Sequence, residues 1–123
     1  LTDHALPAVH RGLAKSGRER SDFILQINAI IITGDTDEAR AAATASVKSL
    51  LGFYASTPAY RPPMAAVGYG DLQPAFTTRG RPGEIAGKLR QKYGAYADRL
   101  AIYAPYAAPD AMWSSIIAEL KSG

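Results

Sequence analysis

The sequence predicts an α/β domain built on a parallel sheet, and three observations carry that expectation. Apolar residues recur at helical spacing in four separate stretches. Two runs rich in β-branched or aromatic residues, "DFILQINAIIITG" and "DRLAIYAPY", lie among them. From Ala29 onward the first run is apolar on both faces, the pattern of a strand that needs covering on two sides. The resulting order of helix, strand, helix, irregular stretch, helix, strand, helix is the grammar of βα units.

Each element has its own justification. Leu6, Val9 and Leu13 mark a helix over about 3–16, with Thr2 or Asp3 as its cap and Gly17 placed to stop it. The first strand follows and ends at Gly34. Asp35 and Glu38 give a start resembling a capping box to a long second helix, whose Ala43, Val47, Leu50, Leu51 and Tyr54 share a face and which ends near Ala55, before Pro58. A short helix is expected at "PPMAAV", and "GYGDLQPAFTTRG" is irregular. Pro82 fits the first turn of a third main helix, with Ile85, Leu89 and Tyr93 facing inward and Gly94 ending it. The second strand, 98–104, is bounded by Pro105. Pro109 and Asp110 open a last helix with Trp113, Ile116, Ile117 and Leu120 along one side.

Composition removes several functional classes. The chain of 123 residues is 47% hydrophobic, the character of one globular domain rather than a disordered tail. Its 14 basic and 11 acidic residues are scattered, with no basic stripe of the kind that tracks a nucleic-acid backbone. Without cysteine there is no disulfide, thiol nucleophile or zinc-thiolate site, which fits a reducing, cytoplasmic setting. His4 and His10 stand six apart, off the spacing of a helical metal pair, so no metal is expected. The longest apolar stretch, Phe23 to Ile32, is too short to cross a bilayer.

Chain order points to candidate binding residues. In a right-handed crossover, the helix leading into strand 98–104 begins at the carboxyl ends of the strands, where α/β proteins bind ligands. The first strand ends at the same place, near Thr33 and Gly34. Residues 35–81 are therefore expected to form an insertion of 47 residues on the mouth side of a single domain spanning 1–123. Within it, "STPAYRPP" reads as a proline-stiffened turn roofing a pocket. Tyr60 either packs beneath that roof or touches substrate. Arg61 either binds a cofactor phosphate or carboxylate or pairs with an acidic neighbour. Thr77, Thr78, Arg79 and Gly80 precede a helix start, whose free N–H groups and dipole suit an anion. Tyr103 and Tyr106 flank the end of the second strand, whereas Trp113 reads as packing, Asp98 as strand entry and Asp110 as helix start.

The stretches "ALPAVHRGLAKSGRERSDF", "IITGDTDEARAAA", "LLGFYASTPAYRPP…GYGDL" and "GRPGEIAGKLRQKYG…DRLAIY" together resemble the carboxy-terminal part of luciferase-like monooxygenases. The nearest likeness is to actinobacterial proteins of the F-420-dependent oxidoreductase type, and the "FYxSTPAYRP" run is its most specific piece. The resemblance implies the carboxy-terminal portion of a TIM (β/α)8 barrel: its last two βα units plus the insertion. It also implies the deazaflavin coenzyme F-420, or FMN, as cofactor, with hydride passed to or from a small organic substrate. On this reading Tyr60, Arg61, Thr78, Arg79 and Gly80 are the cofactor-binding residues, and no side chain is a catalytic nucleophile. Two departures stand out: the family's amino-terminal strands are missing, and Gln73 runs into Pro74 where the family has a further helical segment. Thr77 to Arg79 also stand where apolar residues are commoner. The chain is accordingly expected to be part of a larger protein, inactive alone. Its open flanks would be covered by the rest of the protein or by another copy; the rival expectation is a self-associating domain without catalytic activity.

Overall fold

A computed structural model describes residues 5–59 and 77–122. Helix α1 (Ala5–Ser16) buries Leu6 and Leu13, and Gly17 ends it at φ +70°, a conformation that side chains with a Cβ rarely adopt. After a single 3-10 turn (Arg20–Asp22) come strand β1 (Gln26–Ile32) and helix α2 (Asp37–Ser56). Strand β2 (Thr77–Arg79), helix α3 (Pro82–Tyr93), strand β3 (Arg99–Tyr103) and helix α4 (Asp110–Ser122) complete the described chain. Helix α2 starts one residue later than the spacing of Asp35 and Glu38 predicts: Thr36 is the N-cap, its hydroxyl accepting from the Ala39 N–H at 3.1 Å.

Strand β1 is the centre of the sheet. All pairings are parallel and the order is β2-β1-β3. Ile30, Ile31 and Ile32 stand opposite Thr77, Thr78 and Arg79 on one side, while Gln26 to Ile30 stand opposite Arg99 to Tyr103 on the other. Alternation along β1 then divides the core in two. Ala29 and Ile31 pack with Ile85, Leu89 and Tyr93 of α3 and with Met112 and Ile116 of α4. On the opposite face Ile32 packs with Ala43, Val47 and Leu51 of α2. The chain moves one way from β1 to β2 and back the other way from β2 to β3, so right-handed crossovers put their helices on opposite faces.

This arrangement corrects the expected fold class. A portion of a TIM (β/α)8 barrel would set its strands side by side in chain order with all helices on the outer face. Here a three-stranded parallel sheet places the first strand between the two later ones and carries helices on both faces. The two apolar faces of β1 suit either architecture, since a barrel strand buries one face in the barrel interior; here helices cover both. The second edge of β1 is satisfied by Thr77–Arg79, a strand too short and too polar to be legible as one. Segment 35–81 contains α2, as its apolar spacing predicts, and also β2, which falls in the stretch expected to be irregular.

At the amino end of the sheet, Asp98 ties β3 to β1. Its Oδ2 accepts from the Leu25 N–H at 2.7 Å and from Arg20 Nη2 at 2.9 Å. The bond from the Leu25 backbone, and then that from Arg20, hold the carboxyl below its ordinary value of 3.8. A depressed carboxyl contributes stability above the unfolded value and loses it as pH falls through the lower folded value. Asp98→Asn is therefore expected to flatten the fall in stability below about pH 3.8 in urea titrations at stepped pH. An acid limb identical to that of the parent would contradict this role.

Candidate functional site at the carboxyl ends of the strands

Three chain segments meet where the strands end: Thr33–Thr36 after β1, Gly80–Arg81 after β2 and Ala104–Pro109 after β3. The connections from β1 and β3 leave toward opposite faces, which makes the gap between them a topological switch point, the usual ligand position in open α/β sheets.

Tyr106 borders that gap. Its hydroxyl donates to the Ile31 carbonyl at 2.6 Å and accepts from the Thr33 N–H at 3.1 Å. In a parallel ladder those two groups would serve one residue of the neighbouring strand. The phenol therefore acts as one further rung of the β1–β3 ladder after the backbone pairing stops at Tyr103. Burial raises the Tyr106 pKa, with the Thr33 N–H opposing it, so the hydroxyl keeps its proton and remains a donor. The ring leans on Trp113, centroids 6.0 Å apart. Beside it the Thr33 hydroxyl is buried and has no hydrogen-bond partner among the described residues.

Gly34 lets the next turn close. A Cβ there would stand 2.7 Å from the Ala39 Cβ and 3.0 Å from the Arg40 amide nitrogen. Only glycine admits that approach without displacement. Arg40 locks the turn, donating to the Gly34 carbonyl at 2.8 Å and pairing with Asp37. Asp35, Asp37 and Glu38 put three carboxylates in the turn and first residues of α2, beside the cation of Arg40.

The corner after β2 has the opposite sign. Gly80 donates to the Ile32 carbonyl at 3.1 Å, extending the β1–β2 ladder. Lys88 Nζ donates to the Arg79 carbonyl at 2.6 Å and stands 3.5 Å from Glu84. Glu84 turns back to accept from the Arg81 N–H at 3.0 Å, and this bond first, then Lys88, lowers its pKa. Arg79, Arg81 and Lys88 against Glu84 give the segment about Gly80 an excess of cations, with the Arg79 side chain, opposite Ile32, on the α2 face and Lys88 on the α3 side.

Of the residues proposed from sequence for the cofactor, Arg79 and Gly80 fall together at this basic corner. Thr78 stands opposite Ile31 and is 6% exposed, so its side chain sits inside the sheet packing rather than on the rim. Tyr60 and Arg61 lie outside the described residues. The helix start expected to hold an anion already has the Glu84 carboxylate on it. Lys88 and the unpartnered Thr33 hydroxyl carry no sequence signal as ligand contacts, and Tyr106 stands out only as flanking the end of the second strand; only a third strand at 77–79 would have brought Lys88 beside Arg79. No group of three metal-binding side chains occurs among the described residues, and none of their helices is long and apolar enough to cross a membrane.

No known family profile matches the chain, and no solved structure matches it. It is similar to uncharacterized proteins of Mycobacterium bovis and of two strains of Mycobacterium tuberculosis. Each is 42% identical over 84 residues, which cover 68% of this chain and 25% of the relative. The matched region thus spans about a quarter of those proteins.

Proposed function

We propose that the chain is part of a flavin- or deazaflavin-dependent oxidoreductase and contributes one wall of its cofactor site at the carboxyl ends of the strands. The observation that carries this reading is the basic corner formed by Arg79, Gly80, Arg81 and Lys88, set at the ligand-binding end of a parallel sheet. Phosphate and glutamyl carboxylates, the anionic parts of coenzyme F-420, suit such a corner, and Arg79 and Arg81 offer the forked donors that hold them. Lys88 supports the Arg79 carbonyl and lies over Gly80, where a Cβ would stand 2.8 Å from the Lys88 Nζ. The acidic first turn of α2 repels the same groups, which leaves the switch point beside Tyr106 and Trp113 for the uncharged ring. When bound, the coenzyme supplies the hydride chemistry. The protein groups named here bind and orient it, and Tyr106 remains a proton-holding donor to Ile31.

FMN is the alternative cofactor, and the whole protein's substrate is a small organic molecule taken from the resemblance alone. The reading includes a cytoplasmic setting, supported by a cysteine-free sequence. It is tested by titrating the purified chain with coenzyme F-420 and, separately, with FMN while following cofactor fluorescence. A saturable change is expected with one of them, weakened at least tenfold by Arg79→Ala with Arg81→Ala, as loss of charge-assisted bonds requires. No saturable change with either cofactor, or an affinity indifferent to the double variant, would overturn it.

A second reading, a self-associating domain without catalysis, is favoured by a different observation: the outer edge of β3 has no strand beside it among the described residues.

A further inference from the structure

Among the described residues, strand β3 is bounded by β1 on one side only, and hollows lie beside it on both sheet faces. On the α3–α4 face a groove of about 660 Å³ is floored by Leu100, Ile102, Ile117 and Leu120, and a smaller one of about 250 Å³ continues it past Trp113. On the α2 face a hollow of about 420 Å³ lies between Tyr54, Ala101 and Tyr103. Ile102 borders all three. Tyr103 is 43% exposed and Ile117 44%, although the helical spacing of α4 had put Ile117 on the inner side. An unpaired edge with apolar flanks is a template for another strand.

We propose that a second copy of this chain covers this edge, with β3 pairing antiparallel to its own mate about a two-fold axis at Ala101. The sequence of β3 is self-complementary in that register. Leu100 faces Ile102 of the second copy on the α3–α4 face, and because the pairing is reciprocal the apolar contact occurs twice. Arg99 faces Tyr103 of the second copy on the α2 face, setting a guanidinium against an aromatic ring. A register centred on Arg99 would instead oppose two like charges, which disfavours slippage. Leu100 and Ile102 already pack against the larger core cluster, so the pairing carries that cluster across the axis and brings Ile117 under cover. An antiparallel strand at the edge of an otherwise parallel sheet is a common arrangement. The proposal does not depend on the oxidoreductase reading: cofactor titration and oligomeric state are separate measurements, and either can fail alone.

The test is light scattering on the size-exclusion peak of the purified chain, with circular dichroism recorded on every sample. The expected mass is twice 13.1 kDa. Tyr103→Arg, which places a cation opposite Arg99 of the second copy, is expected to halve the mass while leaving the dichroism unchanged. Adding Arg99→Asp to it restores opposite charges and is expected to restore the dimer. Ile117→Lys, on the helix rather than the strand, is expected to give a folded monomer as well. A folded monomer for the parent chain, a dimer that survives both Tyr103→Arg and Ile117→Lys, or no recovery in the double variant would overturn the proposal.

Discussion

Leu89→Asp and Val47→Asp, made separately, are each expected to abolish cooperative unfolding and native circular dichroism. Leu89 on α3 and Val47 on α2 are both 0% exposed, and they belong to different clusters on opposite faces of β1. An unpaired carboxylate in either place costs several kcal/mol, on the scale of the whole stability of a small domain, roughly 5–15 kcal/mol. The truncation Leu89→Ala is milder and should cost about 3 kcal/mol through lost burial and the cavity left behind. The pair of aspartate variants discriminates between architectures. If one is unfolded while the other melts cooperatively with native dichroism, only one face of β1 is buried, and the two-layer description is wrong.

Tyr106→Phe should lower stability by about 2 kcal/mol, because it keeps the ring but strands the Ile31 carbonyl and the Thr33 N–H without a partner. For a domain of this size that is a fall in Tm of roughly 6–10 °C. Tyr103→Phe is the control: its hydroxyl makes no hydrogen bond among the described residues, and it should change stability by no more than about 0.5 kcal/mol. Urea or thermal melts of the two variants would decide the matter. Equal and small effects would mean that Tyr106 is not the rung that ends the β1–β3 ladder.

The parts of this structure that a single sequence reveals are those set by local pattern. The helices at 5–16, 37–56, 82–93 and 110–122 follow from apolar spacing, caps and terminal glycine or proline, and β1 follows from its β-branched run. The two-faced apolar character of Ala29 to Ile32 also announced that both faces are covered. What failed was the step from elements to arrangement. Thr77–Arg79 is a strand only because β1 offers it an edge, and three residues carry too little periodicity to show that in advance. Missing it turned an order of β2-β1-β3 into two adjacent strands with a long insertion, a pattern that suited a barrel. The site suffered likewise. Arg79 and Gly80 were legible as residues before a helix start, but Lys88 and Glu84 reach them only through the turn of α3. Tyr106 is recognisable as more than a tyrosine at a strand end only when Ile31 and Thr33 stand beside it.

Nuclear Overhauser contacts between backbone protons of the three strands are the direct test of this architecture. A central β1 requires contacts from Ile31 to Thr78 and, on its other edge, from Asn28 to Ala101, both in the staggered pattern of parallel pairing. Contacts joining Thr77–Arg79 to Arg99–Tyr103, with β1 touching only one of them, would show strands lying in chain order and would contradict the fold from which the site is built.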